Sequence, residues 1–175
     1  FFTFDPDETT FEVELTAEMA EKLKYSGSIT LKGQNCVLKQ LDYVCAPGQS
    51  YKDGKATEIW SGEQVLGNWA DPEEAVTDNI ADAEENGILT LTYTPDKGIS
   101  NNPQIQIATK NKADKMAWTA VLTHSGAKQF TMSAVGSKYD ILLTADQATQ
   151  LANADEIWIK GQLGTLTKIE YTAPG

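Results

Sequence analysis

The sequence has few of the residues from which compact catalytic and metal sites are commonly built. Among 175 residues there are one His and two Cys. These counts exclude a zinc site of the usual Cys/His kind and a small fold held by several disulfides. A Ser-His-Asp or Cys-His enzyme would have to use His124, which lies in a predicted turn and has no identifiable nucleophile or orienting acid.

Positive charge and long apolar runs are also scarce. The chain has 14 basic against 25 acidic residues, for a net charge of −11. Nucleic acids and anionic membranes are therefore poor partners and are not expected, because both are held by Lys and Arg. The apolar runs are too short to cross a bilayer. With neither a start Met nor a signal peptide, the sequence is interpreted as a mature piece or an excised one.

The residues that are abundant indicate a folded β-rich module. The hydrophobic fraction is 41% and the charged fraction 22%, which is too apolar for a disordered chain. Short runs of Thr, Ile, Leu and Val are separated by Gly, Asn and Asp, a pattern typical of secreted all-β domains. The length suits one domain, or one domain and a fraction of another.

The sequence contains an internal repeat with an offset of 128 residues. Residues 2–47 align without a gap to residues 130–175, and thirteen of the aligned pairs are identical. Apolar positions stay in phase, as in Val13/Ile141 and Leu31/Ile159. Repeats of this kind indicate a duplicated structural unit.

The repeated unit predicts a strand, a short helix, a second strand, a turn and a last strand. In residues 11–15, apolar and acidic residues alternate, as in a strand with one buried face. Thr16 and Thr144 stand at helix N-caps, and Thr144 with Gln147 forms a capping box. Gly33 and Gly161 predict the turn or a bulge.

The residues between the two copies complete the predicted domain. Strands are expected at residues 57–61, 88–94, 104–109 and 116–122, with a short helix within 72–83. We therefore predict that residues 1–47 are the last third of a preceding copy, that 48–55 are a linker, and that 56–175 are a complete β-sandwich. In the alternative, residues 1–47 add strands to the same sandwich.

Strand alternation predicts which large side chains face solvent. In residues 156–160, Ile157 and Ile159 match buried positions, so Trp158 and Lys160 face outward. The same alternation places Ile59 inward and Trp60 outward. The resulting candidates for carbohydrate binding are Trp60, Trp69, Gln104, Gln106, Trp118, Trp158, Lys160 and Gln162. Indole faces stack on pyranose rings, and amide and ammonium groups bond to hydroxyls. Trp118 has no clear alternation, Trp69 could simply cover a loop, and any of the four Trp could instead close the core.

The acidic residues offer two other candidate sites. Seven acidic residues crowd residues 71–85, where loop oxygens could hold calcium, but a solvated acidic face is favoured and no cofactor is expected. Many carboxylates are present, yet nothing selects a pair for glycoside hydrolysis.

Cys36 and Cys45 lie at the two ends of one predicted strand, so two free thiols are expected.

Several short motifs carry a family resemblance. They are Thr57-Glu-Ile-Trp-Ser-Gly62, Leu66-Gly-Asn-Trp69, Gly87-Ile-Leu-Thr-Leu-Thr-Tyr93, Tyr139-Asp-Ile-Leu-Leu-Thr-Ala-Asp-Gln-Ala148 and Ile157-Trp-Ile-Lys-Gly-Gln162. Together they resemble β-sandwich modules attached to polysaccharide-degrading enzymes of gut and rumen Bacteroidetes, among which carbohydrate-binding modules of family 72 are one candidate group.

This resemblance implies a jelly-roll-like antiparallel β-sandwich with one or two short helices. It also implies a non-catalytic, extracellular or cell-surface module that binds β-glucan or a related plant polysaccharide beside a linked glycoside hydrolase. The alternatives are a structural spacer or adhesion-type sandwich without a glycan site, and a small glycan-active enzyme.

Overall fold

The fold was obtained as a computed structural model that describes residue 3 and residues 9–24, 29–42 and 55–174. In chain order these residues form two α-helices, eight strands and one 3₁₀ turn. They are α1 (Ala17–Lys24), β1 (Thr57–Leu66), β2 (Ile88–Pro95), β3 (Gln104–Lys110), the 3₁₀ turn Lys112–Asp114, β4 (Thr119–Ala120), β5 (Phe130–Thr131), β6 (Lys138–Leu142), α2 (Ala145–Ala152), β7 (Glu156–Gln162) and β8 (Gly164–Thr172). Most of the predicted linker and Cys45 lie outside the described residues, whereas Cys36 has a free, exposed thiol.

The strands form two antiparallel sheets, and the described chain is an all-β sandwich with short helices. The first sheet has the order β1-β8-β2-β6. In the second, β3 pairs with β7 along its whole length, with β4 at one end and with β5 at the other. No described helix is long and apolar enough to cross a membrane.

The core lies between the sheets because alternate residues of each strand are apolar. Leu89, Leu91 and Tyr93 of β2 are buried, as are the inward residues of β3 and β7. Tyr93 also donates a hydrogen bond from its hydroxyl to the carbonyl oxygen of Ser133, at 2.7 Å. Helix α2 adds Ala148 and Leu151 to the same cluster.

The capping box that begins α2 is confirmed. The Thr144 side chain accepts from the backbone N–H of Gln147 at 3.2 Å, and the Gln147 side chain accepts from the backbone N–H of Thr144 at 2.9 Å. Helix α1 spans the eight residues that align with α2 at the 128-residue offset. There the Thr16 hydroxyl accepts from the backbone N–H of Met19 at 3.2 Å, so both copies begin this helix in the same way.

Residues 72–83 do not form the predicted helix. This segment instead lies along β7, where the N–H of Val76 donates to the carbonyl of Ile157 at 2.8 Å and the N–H of Ile157 donates to the carbonyl of Thr77 at 2.7 Å. These bonds satisfy backbone groups of β7 that would otherwise be unpaired at a sheet edge. Pairing with a distant strand therefore overrides the local helical pattern.

Two smaller predictions are also wrong in detail. Of residues 116–122, only Thr119–Ala120 are a strand. Gly161 lies inside β7, and the turn to β8 falls instead at Leu163, whose φ is 67°. Gly161 is required by close packing, because a Cβ there would collide with the carbonyl oxygen of Gln104.

Ile59 packs against the core as predicted, but Trp60, which was predicted to point outward, packs there too. The register of β1 against β8 shifts between Glu58 and Trp60, so Trp60 is opposite the buried Ile169. A bulge of this kind interrupts strict alternation. As a result, Ile59 and Trp60 are both half-buried against the core.

Candidate functional site

The outer face of β3 and β7 carries a row of paired polar and aromatic residues. Four cross-strand pairs share this face: Gln104 with Gln162, Gln106 with Lys160, Ala108 with Trp158, and Lys110 with Glu156. The residues between them, including Ile105 and Ile159, are buried in the core. The alternation read from the sequence therefore holds on these two strands.

Trp118 joins this face from the loop before β4. Its ring centroid lies 5.4 Å from that of Trp158, with the two planes at 57°. This is a tilted aromatic pair at a favourable separation. Trp118 remains 38% exposed. We call Trp118, Trp158 and the two lysines beside them, Lys110 and Lys160, the tryptophan platform.

The backbone that carries Trp118 is set by a tight turn rather than by a strand. Lys115 and Met116 both have left-handed conformations, with φ of 54° and 58°. The turn is closed by the N–H of Met116, which donates to the carbonyl of Asn111 at 2.9 Å. Pairing of Ala108 with Ala120 then fixes the loop beside β3. Strand alternation could not assign Trp118, because it precedes the short strand.

Two lysine ammonium groups lie over the indole rings. The Lys110 Nζ is 3.9 Å from the centroid of Trp158 and 4.7 Å from that of Trp118. The Lys160 Nζ is 5.1 Å from the Trp118 centroid and 2.8 Å from Asp71 Oδ1. These separations place both cations within range of the ring quadrupoles.

The remaining polar groups of the face are partly paired with one another. The Trp158 indole N–H donates to Glu156 Oε2 at 2.8 Å. The Gln162 amide donates to Gln104 Oε1 at 3.0 Å. Gln104, Gln106 and Gln162 are half-buried. An amide has two donors and two acceptor lone pairs, so these side chains keep capacity for further hydrogen bonds.

A cleft of about 540 Å³ lies beside the platform, between β1 and the segment that covers β7. Trp60, Asp71 and Lys160 are among the residues that line it. The Trp60 ring lies over Gly62, where an added Cβ would be 2.8 Å from the ring. Lys160 therefore belongs to both the platform and the cleft, and connects them.

Trp69 belongs neither to the tryptophan platform nor to the residues that line the cleft. It is half-buried in the loop after β1, with φ of 66°. Its backbone N–H donates to the carbonyl of Gly161 at 2.8 Å. The main chain of Trp69 thus fixes this loop to the edge of β7.

Six of the eight sequence-predicted residues are brought together on one face. These are Gln104, Gln106, Trp118, Trp158, Lys160 and Gln162. Trp60 and Trp69 lie elsewhere. Sequence reasoning missed Lys110, although it has the same alternation as Gln104 and Gln106, and it missed Asp71 because that contact joins distant segments.

The acidic stretch at residues 71–85 is the candidate calcium site. Within the described ranges, no three His, Cys, Asp or Glu side chains are grouped so that they could hold a metal ion. Asp71 instead pairs with Lys160.

The chain was compared with known proteins. No family model and no curated protein matches it. Among solved structures, it is similar to SGBP-B of the Bacteroides ovatus mixed-linkage glucan utilization locus, determined in complex with a mixed-linkage heptasaccharide. The identity is 15% and the TM-score 0.42, with 67% of this chain and 29% of that chain covered.

Proposed function

We propose that this protein is a non-catalytic carbohydrate-binding module for a neutral polysaccharide of the plant β-glucan type. The observation that carries the proposal is the pair formed by the exposed Trp118 and the half-buried Trp158, on a sheet face rimmed by amide and ammonium groups. Indole rings cover the apolar C–H faces of pyranose rings, and the neighbouring side chains bond to the hydroxyls.

The dimensions of the face suit an extended ligand. From Gln104 to Lys110 the face follows seven residues of β3, which span roughly 20 Å at ~3.4 Å per residue. A polymer chain lying along β3 and β7 would meet the tryptophan platform at one end and the glutamines at the other. Trp60 gives a second aromatic contact for a chain that turns over Lys160 into the cleft, whereas Trp69 supports the loop that borders it.

The charge distribution favours a neutral polymer over an acidic one. The Lys160 ammonium is already paired with Asp71, and the net charge of the chain is −11. A polyanion would be repelled by the overall charge. Binding should accordingly change little with salt concentration.

The proposed biological role is targeting at the cell surface or outside the cell. A module of this kind, joined to a glycanase, keeps the catalytic domain near its substrate and raises the effective concentration of polymer. The linked glycanase and the extracellular location belong to the proposal, as does the absence of catalysis by this chain.

Affinity gel electrophoresis against β-glucans, xyloglucan, xylan and mannan tests the proposal. We expect retardation on at least one β-glucan, at least tenfold weaker binding for Trp118→Ala and Trp158→Ala, and no change for Val135→Ala, a fully exposed control far from the platform in sequence. Absence of retardation on every polymer would leave the spacer alternative. Release of reducing sugar by the pure protein would instead indicate an enzyme.

A further inference from the structure

The first repeat copy exposes the positions that the second copy buries. Four aligned pairs show this: Ile29/Ile157, Leu31/Ile159, Leu38/Leu166 and Leu41/Ile169. In the second copy these side chains are 0–2% exposed, and in the first copy they are 54–63% exposed. Side chains whose counterparts are core residues lose that burial here, so these four apolar positions lack the partner surface that the second copy has.

The local structure of the two copies agrees wherever it depends on nearby residues alone. Helices α1 and α2 have the same bounds at the 128-residue offset and the same Thr side-chain cap. Helical hydrogen bonds are made within the segment, so the position of a helix can be specified by local sequence. Strands require another strand, and residues 29–42 form none, whereas their counterparts form most of β7 and β8.

The structure of the second copy shows which elements such strands require. Strand β6 pairs with β2, and β7 pairs with β3. Strand β8 lies between β1 and β2 and pairs with both. The closing third of the fold therefore completes an acceptor made of β1, β2 and β3, which are all supplied by the part of the sequence that is not repeated.

Gly161 in β7 and its counterpart Gly33 indicate independently that residues 29–42 are suited to pair as strands. At Gly161 the backbone of β3 approaches so closely that no Cβ fits, because it would collide with the Gln104 carbonyl. The first copy also has glycine at this position, Gly33, although the nearest atom to an added Cβ there is Cys36 Sγ at 3.5 Å. No described neighbour requires glycine at position 33. A glycine there is expected if this segment pairs with a strand whose backbone comes as close as β3 comes to Gly161.

We infer that residues 9–42 are the closing third of a second β-sandwich, whose other strands come from a polypeptide with the sequence pattern of residues 57–122. In that complex Leu31 would face the counterpart of Ile107, and Leu41 the counterpart of Leu91, as Ile159 and Ile169 do here. An intact second copy of this chain does not fit as the occupant, because its own β6, β7 and β8 already fill the acceptor.

The test uses the full chain and, as probe, a polypeptide of residues 55–129, which has the acceptor pattern but lacks the closing strands. The two are mixed in denaturant, refolded, and followed by size-exclusion chromatography with light scattering and by hydrogen exchange. We expect a one-to-one complex in which the amides of residues 29–42 become protected at least tenfold. Leu31→Asp in the full chain should abolish that protection.

Thr30→Asp is the matched control, because its counterpart Trp158 faces outward, and it should leave complex formation unchanged. Three results would overturn the inference. These are no complex, a complex without new protection in residues 29–42, and self-association of the full chain alone that Leu31→Asp removes. The last would assign the surface to a second copy. Neither variant alters the tryptophan platform, so the outcome is independent of glycan binding.

Discussion

Lys110 is the residue that connects the two rings of the tryptophan platform. Its ammonium lies over both indoles, and its side chain extends from the strand that pairs with Trp158. An exposed cation–π contact contributes about 0.5–1 kcal/mol. By holding both rings, the lysine preorganises the surface on which a sugar would stack, and preorganisation lowers the cost of binding.

Lys110→Met keeps most of the apolar stem and removes the charge. We expect its affinity for a soluble β-glucan to fall about two- to fivefold, the equivalent of the cation–π contribution. Isothermal titration calorimetry measures the change, with Lys138→Met, on the opposite sheet, as the control of equal charge. Tighter binding by Lys110→Met would mean instead that the ammonium occupies the ring face needed by the sugar.

The buried Tyr93 should make the free energy of unfolding depend on pH. Burial raises the pKa of Tyr93. Burial likewise raises the pKa of Tyr139 and of Tyr171. Below about pH 10, tyrosine is neutral in both the folded and the unfolded states. Above it, the unfolded chain ionises first, so the free energy of unfolding falls as the pH rises toward the folded-state values.

Tyr93→Phe removes one of these groups. At pH 8 it should lower the free energy of unfolding by about 1 kcal/mol, because the Ser133 carbonyl loses its donor. Between pH 8 and 11 the variant should lose less stability than the unmodified protein, by the contribution of one tyrosine. Urea denaturation at both values provides the measurement. Parallel loss in the two proteins would show that Tyr93 does not titrate differently on unfolding.

At the scale of elements, the same N-cap substitution can be made in a helix that packs in the core, α2, and in one that does not, α1. Thr144→Ala removes the N-cap of α2, which packs Leu151 into the core, and should cost about 1 kcal/mol of unfolding free energy. Thr16→Ala removes the matching cap of α1, which contributes no buried residue. Only the first substitution should shift the cooperative urea midpoint. Equal shifts would mean that α1 unfolds together with the sandwich.

Elements set by their own residues could be predicted from the sequence, and elements set by distant partners could not. Alternating apolar residues located β2 and β3 to within about a residue and placed the beginning of β7, and the capping box located α2. The helix predicted within residues 72–83 failed because that segment pairs with β7.

The same distinction applies to the candidate site. The outward alternation of β3 and β7 placed four of the candidate residues correctly on one face: Gln104, Gln106, Trp158 and Lys160. Trp60 was misplaced because a bulge in β1 cannot be recognised from the pattern of β1 alone. The contacts of Lys160 with Asp71 and of Trp118 with Trp158 join residues far apart in the chain, so neither pairing could be inferred from local spacing.

For the molecule as a whole, the core contains only one of the two repeat copies. Every residue of the described core cluster, and every described apolar side chain that is partly buried against it, falls between Ile59 and Tyr171. The described apolar residues of the first copy are mostly exposed. Burial of apolar surface is the main source of stability, so the stability of this sandwich should be independent of residues 1–54.

A chain shortened to residues 55–175 tests this directly and separates the two interpretations of residues 1–47. We expect its urea unfolding free energy to match that of the full chain within about 0.5 kcal/mol, the usual limit for changes away from the core. Leu91→Ala, at a fully buried position, should destabilise both chains equally, by about 2–5 kcal/mol, and so shows that the assay reads the same core. If the shortened chain were less stable by more than 1 kcal/mol, residues 1–47 would belong to this sandwich, as strands or as a cover for its edge. Unchanged stability would mean that the apolar side chains of residues 1–47 need a partner outside this sandwich. The refolding of the full chain with residues 55–129 tests whether such a partner binds them.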